Sequence, residues 1–166
     1  YLESLELYRK STDSINLADI LEKLGLLHQD LGNIDKAFEY EHEAFKIREK
    51  INSHALYKGQ SLSGLASIYL RRKNYSQAIE YYKRALEYYK KTKRAGKIQS
   101  GYSSVGVAYE KMGYYKEATA YLKKSLELNQ NQGIGGSTVY GSLMNHFARI
   151  SLAEGDYEQA LVNAKK

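Results

Sequence analysis

Alanine returns along the chain at Ala37, Ala78, Ala118 and Ala160, at intervals of 41, 40 and 42 residues. Each lies in a variant of one phrase: LGNIDKAFEY, RKNYSQAIEY, MGYYKEATAY and EGDYEQALVN. A fixed interval in this range marks one supersecondary unit repeated, rather than one globular core. A unit of that size cannot bury its apolar stripe alone, so stacking on its neighbours completes it.

The third unit shows what is being repeated. Tyr102, Val105, Gly106 and Tyr109 fall on one helical stripe, and Gly106 sits where a partner helix must approach closely. Met112-Gly113-Tyr114-Tyr115 interrupts the pattern, because glycine is the least strained residue at a left-handed helix end. A second stripe runs through Ala118, Leu122, Ser125 and Leu126. Its small residues let two antiparallel helices sit close, so the unit reads as a helical hairpin.

The same frame fits the other units. Leu21, Leu24, Gly25 and His28 open the first, and Ala37, Glu41 and Ala44 close it. The second has Leu62, Leu65, Ala66 and Tyr69, then Ala78, Tyr82 and Ala85. The fourth has Met144, Phe147, Ala148 and Ser151, then Ala160 and Ala164. The expected fold is all-α, a right-handed α-solenoid of antiparallel hairpins. Its repeats are expected at 14–51, 54–91, 97–130 and 138–166, after the second helix of an earlier repeat at 1–10. Loops are expected near Ser11–Ser14, Asn52–His54, Thr92–Gly96 and Asn129–Ser137. The chain opens inside one helical phrase and ends inside another, which reads as a piece of a longer protein.

These positions resemble the tetratricopeptide repeat, W-x2-L-G-x2-Y followed by A-x3-F and a proline. The interval departs from the usual length of about 34 residues, and the chain has no proline. Six to eight extra residues add roughly two helical turns, or about 10 Å shared between the paired helices. The long form is similar to kinesin light chains, Pins/LGN polarity adaptors and bacterial signal-transduction proteins. The resemblance implies a binding scaffold, read here as a segment of a bacterial regulatory or signalling protein that holds a peptide or helix in a concave groove.

The residue types exclude much else. There is no cysteine, hence no disulfide or thiolate metal site, which fits a reducing, cytoplasmic setting. No apolar run approaches the roughly 20 residues of a membrane helix. None of the four histidines, His28, His42, His54 and His146, has a metal-ligand spacing, and no nucleophile elbow occurs. No enzyme activity, metal or cofactor is expected. GIGG within NQNQGIGGS lacks the lysine and the preceding strand of a phosphate loop.

Charge is unevenly placed. Residues 1–50 hold eleven acidic and seven basic side chains, whereas residues 71–98 hold ten basic ones against Glu80 and Glu87. Such a block can attract nucleic acid, but a solvated outer helix face is the simpler reading. The paired tyrosines Tyr81-Tyr82, Tyr88-Tyr89 and Tyr114-Tyr115 are expected to fill the space between helices, with their hydroxyls at its edge. End-to-end self-association through terminal apolar stripes is the other alternative.

The resemblance also places the groove on first-helix positions that packing does not use. In the first unit these are Asp19, Glu22, Lys23, Leu26 and Gln29. They continue as Gln60, Ser63, Gly64, Ser67 and Arg71, then Ser100, Ser103, Ser104, Val107 and Lys111, then Ser142, Asn145, His146 and Arg149. Hydroxyls there can donate or accept, and short side chains let a partner backbone come close. The lysine–asparagine–arginine carboxylate clamp of some family members is not reproduced: only Lys23, Asn145 and Arg149 correspond, with serines and glycine between.

Overall fold

The computed structural model describes residues 13–132 and 136–165, together with Glu3, Glu6 and Leu7. The repeat expected at 1–10 and the Gly133–Gly135 segment lie essentially outside the described residues. Among these residues there are eight α-helices and no strand. They are α1 (Ser14–Asp30), α2 (Ile34–Lys50), α3 (Ala55–Arg71), α4 (Tyr75–Thr92), α5 (Ala95–Met112), α6 (Tyr115–Gln132), α7 (Gly136–Ala153) and α8 (Tyr157–Ala164). Successive helices pair as α1–α2, α3–α4, α5–α6 and α7–α8. The chain divides into two compact units, one ending at Thr92 and the next beginning at Lys93.

A single turn, found once inside each of the four hairpins and again after α2 at Asn52, punctuates the chain. Gly32, Lys73, Gly113 and Gly155 all have left-handed backbones, with φ of 78°, 59°, 86° and 80°. At each, the next residue's N–H reaches back five residues: Asn33 to His28, Asn74 to Tyr69, Tyr114 to Tyr109, and Asp156 to Ser151. This double-bonded helix end satisfies carbonyls that the helix cannot pair itself. The residue after it starts the second helix. Asp156 Oδ1 caps Gln159 N–H at 3.0 Å, and Asn74 Oδ1 caps Gln77 N–H at 3.3 Å. The repeated phrase is therefore a stop and the first turn of a helix, with a side-chain cap between them at Asn74 and Asp156.

Lys73 holds the same conformation with a Cβ, which costs roughly 1 kcal/mol relative to glycine. Replacing Lys73 with glycine is expected to raise the melting temperature of the chain by several degrees, with helicity unchanged. An unaltered or lower melting temperature would show that the turn is not strained.

The four repeated alanines are buried, at 0%, 0%, 0% and 4% exposure. Leu21, Leu24, Leu62, Leu65 and Ile68 are buried with them in unit 1; in unit 2, Ala118 joins Leu122, Leu143, Met144 and Ile150. Gly106 is the close approach read from the sequence. A methyl group there would lie 2.8 Å from Leu122 Cγ and 3.2 Å from the Ala118 carbonyl oxygen. Tyr82 and Tyr89 enter the core of unit 1, whereas Tyr114 stays half exposed.

The helices run further than the sequence suggested at two places. Asn129–Gln132 belongs to α6 and α7 starts at Gly136, so the loop expected over Asn129–Ser137 is shorter at both ends. No residue from Asn129 to Gln132 is a glycine or proline, and nothing there stops the helix. The turn between α4 and α5 is likewise only Lys93-Arg94 rather than Thr92–Gly96.

Candidate functional site

In unit 1 the first helices α1 and α3 lie side by side, and the face they share is knitted by polar side chains. Ser67 Oγ donates to Gln29 Oε1 at 3.0 Å, and Arg71 donates to the Gln29 carbonyl at 3.3 Å. The Tyr82 hydroxyl of α4 bonds to Ser67, and that of Tyr89 to Ser63. Burial pushes both phenols up, Tyr89 to about 12, so both stay protonated. Lys23 and Arg71 are exposed; Gln60, Ser63, Gly64 and Ser67 are partly covered.

Beneath this face is a charged cluster that the sequence did not reveal. Arg48 of α2 is only 2% exposed. Its guanidinium pairs with Asp19 Oδ1 at 2.7 Å and Glu22 Oε2 at 2.6 Å on α1. It also donates to Ser61 Oγ at 2.7 Å and to the Tyr57 carbonyl at 3.2 Å on α3. One side chain thus ties both hairpins of the unit together. Asp19 and Glu22 were placed on the groove from sequence; the structure turns them partly inward, as the anionic half of this cluster.

Glu41, also on α2, is 1% exposed, and neither carboxyl oxygen has a hydrogen-bond partner. It lies between two glycines. A methyl group on Gly25 of α1 would sit 2.8 Å from Glu41 Cγ, and one on Gly64 of α3 would sit 2.5 Å from Cδ. Burial, and then the neighbouring Glu22 charge, raise its pKa to about 8 against the opposing pull of Arg48. At neutral pH it is a carboxylic acid, not a carboxylate.

In unit 2 the corresponding face lies between α5 and α7. A cavity of about 270 Å3 opens there, lined by Gln99, Ser100, Ser103, Ser104, Thr138, Val139, Ser142 and Leu143. Further along, Glu110 of α5 is buried and bridges to α7, 2.6 Å from His146 Nδ1 and 2.5 Å from an Arg149 guanidinium nitrogen. The structure therefore brings Ser100, Ser103 and Ser104 to one cavity and gathers His146 and Arg149 around Glu110; Asn145 is exposed beside them. Glu110 was absent from the sequence reading because its spacing matches an ordinary core position one turn after Gly106. Gln99, whose Nε2 is buried without a partner, was missed for the same reason.

Much of the basic block is engaged within unit 1. Arg72 pairs with Asp35 and lies over Phe38, Arg84 lies over Phe45 and Tyr81, Lys90 pairs with Glu87, and Lys91 lies over Tyr88. Among the described residues no group of three or more His, Cys, Asp or Glu side chains could hold a metal ion, and no helix is long and apolar enough to cross a membrane.

Comparison with known proteins agrees with this geometry. Tetratricopeptide-repeat profiles match residues 16–91 and 100–132. No curated protein sequence matches the chain. Among solved structures, BtubC (BKLC) from P. vanneervenii superposes with a TM-score of 0.89 at 23% identity, over 99% of this chain and 68% of that one. A Podosopora anserina putative kinesin light chain with nearly identical TPR-like repeats gives 0.78 at 17% identity, over 98% and 82%. A Rap protein complexed with Competence and Sporulation Factor gives 0.76 at 18% identity, over 94% of this chain and 45% of that one. The chain thus spans less than half the length of that Rap protein. Four hairpins, the recurrent left-handed turn and the matching profiles together make this chain a member of the tetratricopeptide-repeat family.

Proposed function

We propose that the chain is a protein-interaction scaffold that holds a peptide or helix against its first helices, as part of a larger bacterial regulatory or signalling protein. Tetratricopeptide repeats support the scaffold reading in general. The observation that carries the more specific one is the cavity of unit 2, where the hydroxyls of Ser100, Ser103, Ser104, Thr138 and Ser142 surround an opening between two first helices. Hydroxyls of this kind can meet the alternating donors and acceptors of a peptide backbone. In unit 1, Ser63, Gly64 and Ser67 likewise keep the face low. A Rap protein of the same fold, solved in complex with Competence and Sporulation Factor, is in keeping with a fold that holds a partner.

The binding residues are proposed to be Lys23, Gln60, Ser63, Ser67 and Arg71 on unit 1, and Ser100, Ser103, Ser104, Asn145, His146 and Arg149 on unit 2. Arginine in place of Ser67 or Ser104 would fill that face while leaving the hairpins intact. Affinity capture from native lysate is expected to lose its specific partner with either variant, at unchanged helical circular dichroism. Capture retained by both would refute the assignment of the face.

Self-association is the second reading. It is favoured by the exposed apolar side chains Leu152, Tyr157, Leu161 and Val162 at the α7–α8 hairpin. Light scattering that shows a monomer at high concentration would remove it.

A further inference from the structure

The residues around the unit 2 cavity grade from exposed to buried. Ser100, Thr138 and Ser142 are exposed, Ser103, Ser104 and Val139 are partly covered, and Gln99 and Leu143 are buried. The exposed members leave the cavity open to solvent. Gln99 forms part of its wall although it is only 4% exposed. The main chain of Gln99 is held by Ser125 of α6, itself fully buried, whose Oγ donates to the Gln99 carbonyl at 3.1 Å. Its side-chain Nε2, by contrast, has no hydrogen-bond partner. A buried N–H without an acceptor costs about 1–3 kcal/mol, and folded chains leave few of them.

The chemistry of the wall narrows what could supply the acceptor. Among the described residues, none that lines the cavity carries a charge. A carboxylate would bring acceptors, but its own charge would be desolvated without a counter-ion. An ammonium or guanidinium has no acceptor to offer. A hydrocarbon side chain would suit Val139 and Leu143 and leave Nε2 unpaired. A primary amide meets every requirement: its carbonyl oxygen accepts from Gln99, and its NH2 donates to serine hydroxyls.

We infer that the cavity between α5 and α7 is a recognition site for a neutral amide side chain, asparagine or glutamine, of a bound peptide. Gln99 is the donor that sets this specificity, and the hydroxyls of Ser103 and Ser104 receive the amide nitrogen. Ser100, Thr138 and Ser142, being exposed, are left for the adjoining peptide backbone. This inference rests on the peptide-binding reading and adds its ligand chemistry.

Four acetylated and amidated peptides, Ala-Ala-Xaa-Ala-Ala with Xaa glutamine, asparagine, glutamate or norleucine, test it when titrated into the nitrogen-15-labelled full chain. At least one of the two amide peptides is expected to give saturable shift changes at the Gln99 side-chain amide and at Ser103, Ser104 and Val139. It should bind roughly tenfold or more tightly than the glutamate and norleucine peptides, the order of one hydrogen bond. Gln99→Met keeps the length of the side chain and removes the unpaired N–H, so the fold should persist, as circular dichroism checks. In this variant the preference should vanish, with all four peptides bound alike. Equal binding of the four by the wild-type chain, or a preference for amides that survives Gln99→Met, overturns the inference. If all four bind equally and Ser104→Arg abolishes their binding, the amide site fails and the groove stands. If none binds the wild-type chain, or Ser104→Arg binds them unchanged, both readings fail.

Discussion

Replacing Arg48 with alanine is expected to destabilise unit 1 by about 3–5 kcal/mol, the range for removing one partner of a buried ion pair. The loss exceeds that of an ordinary surface pair, worth about 0–1 kcal/mol, because of where Arg48 sits. Its guanidinium is nearly inaccessible to solvent and contacts α1 through Asp19 and Glu22 and α3 through Ser61 and the Tyr57 carbonyl. Alanine would leave two acidic groups without a counter-charge and the Ser61 hydroxyl with a cavity beside it. For a unit of this size each kcal/mol moves the melting temperature by roughly 4–8 °C, so a fall well above 10 °C follows. Arg48→Lys should recover only part of it, because an ammonium cannot hold both helices with one planar fork. Thermal melts followed by circular dichroism measure the effect. A shift of only one or two degrees for Arg48→Ala would mean that the guanidinium is solvated rather than buried.

The second large effect is a pH dependence set by Glu41. In the unfolded chain this carboxyl ionises near its ordinary value of 4.5, whereas in the fold burial holds the proton until about pH 8. Between those values the folded state keeps a proton that the unfolded state has released. Stability therefore falls as pH rises across that window, by about 1.4 kcal/mol per pH unit, and levels off above it. Most soluble domains lose stability toward acid instead, so the contribution of this group runs against the usual trend. Leucine at position 41 imitates Leu122 of the third repeat and removes the titrating group. Glu41→Leu is expected to abolish this component and to be the more stable protein at pH 8. Denaturant unfolding at several pH values, wild type against variant, gives the difference directly. Parallel pH profiles would show that Glu41 is ionised and solvated in the fold.

The two effects also explain how far the sequence could be read. The hairpins were legible because their determinants are local: an alanine at the tightest contact, a glycine able to turn left-handed, and a cap just after it. Lys73 was harder to see, because it holds the turn that glycine holds at Gly32, Gly113 and Gly155, at a conformational cost the fold absorbs. Among the proposed binding residues, periodicity put the serines on first helices, and Ser100, Ser103 and Ser104 do line one cavity. It could not show that Asp19 and Glu22 bend toward Arg48, since that contact spans 29 residues in the case of Asp19. Glu41 stood in the core stripe, where its spacing was visible and its chemistry was not. A glutamate at a position held by Tyr82 and Leu122 in the following units, faced by Gly25 and Gly64, was the one signal available.

Selecting a binder from a random peptide library and mapping its amide shift changes on the nitrogen-15-labelled chain is the most direct test of the account. The expected changes cluster on the first helices, Ser14–Asp30, Ala55–Arg71, Ala95–Met112 and Gly136–Ala153. Changes confined to the second helices, Ile34–Lys50, Tyr75–Thr92 and Tyr115–Gln132, would contradict it.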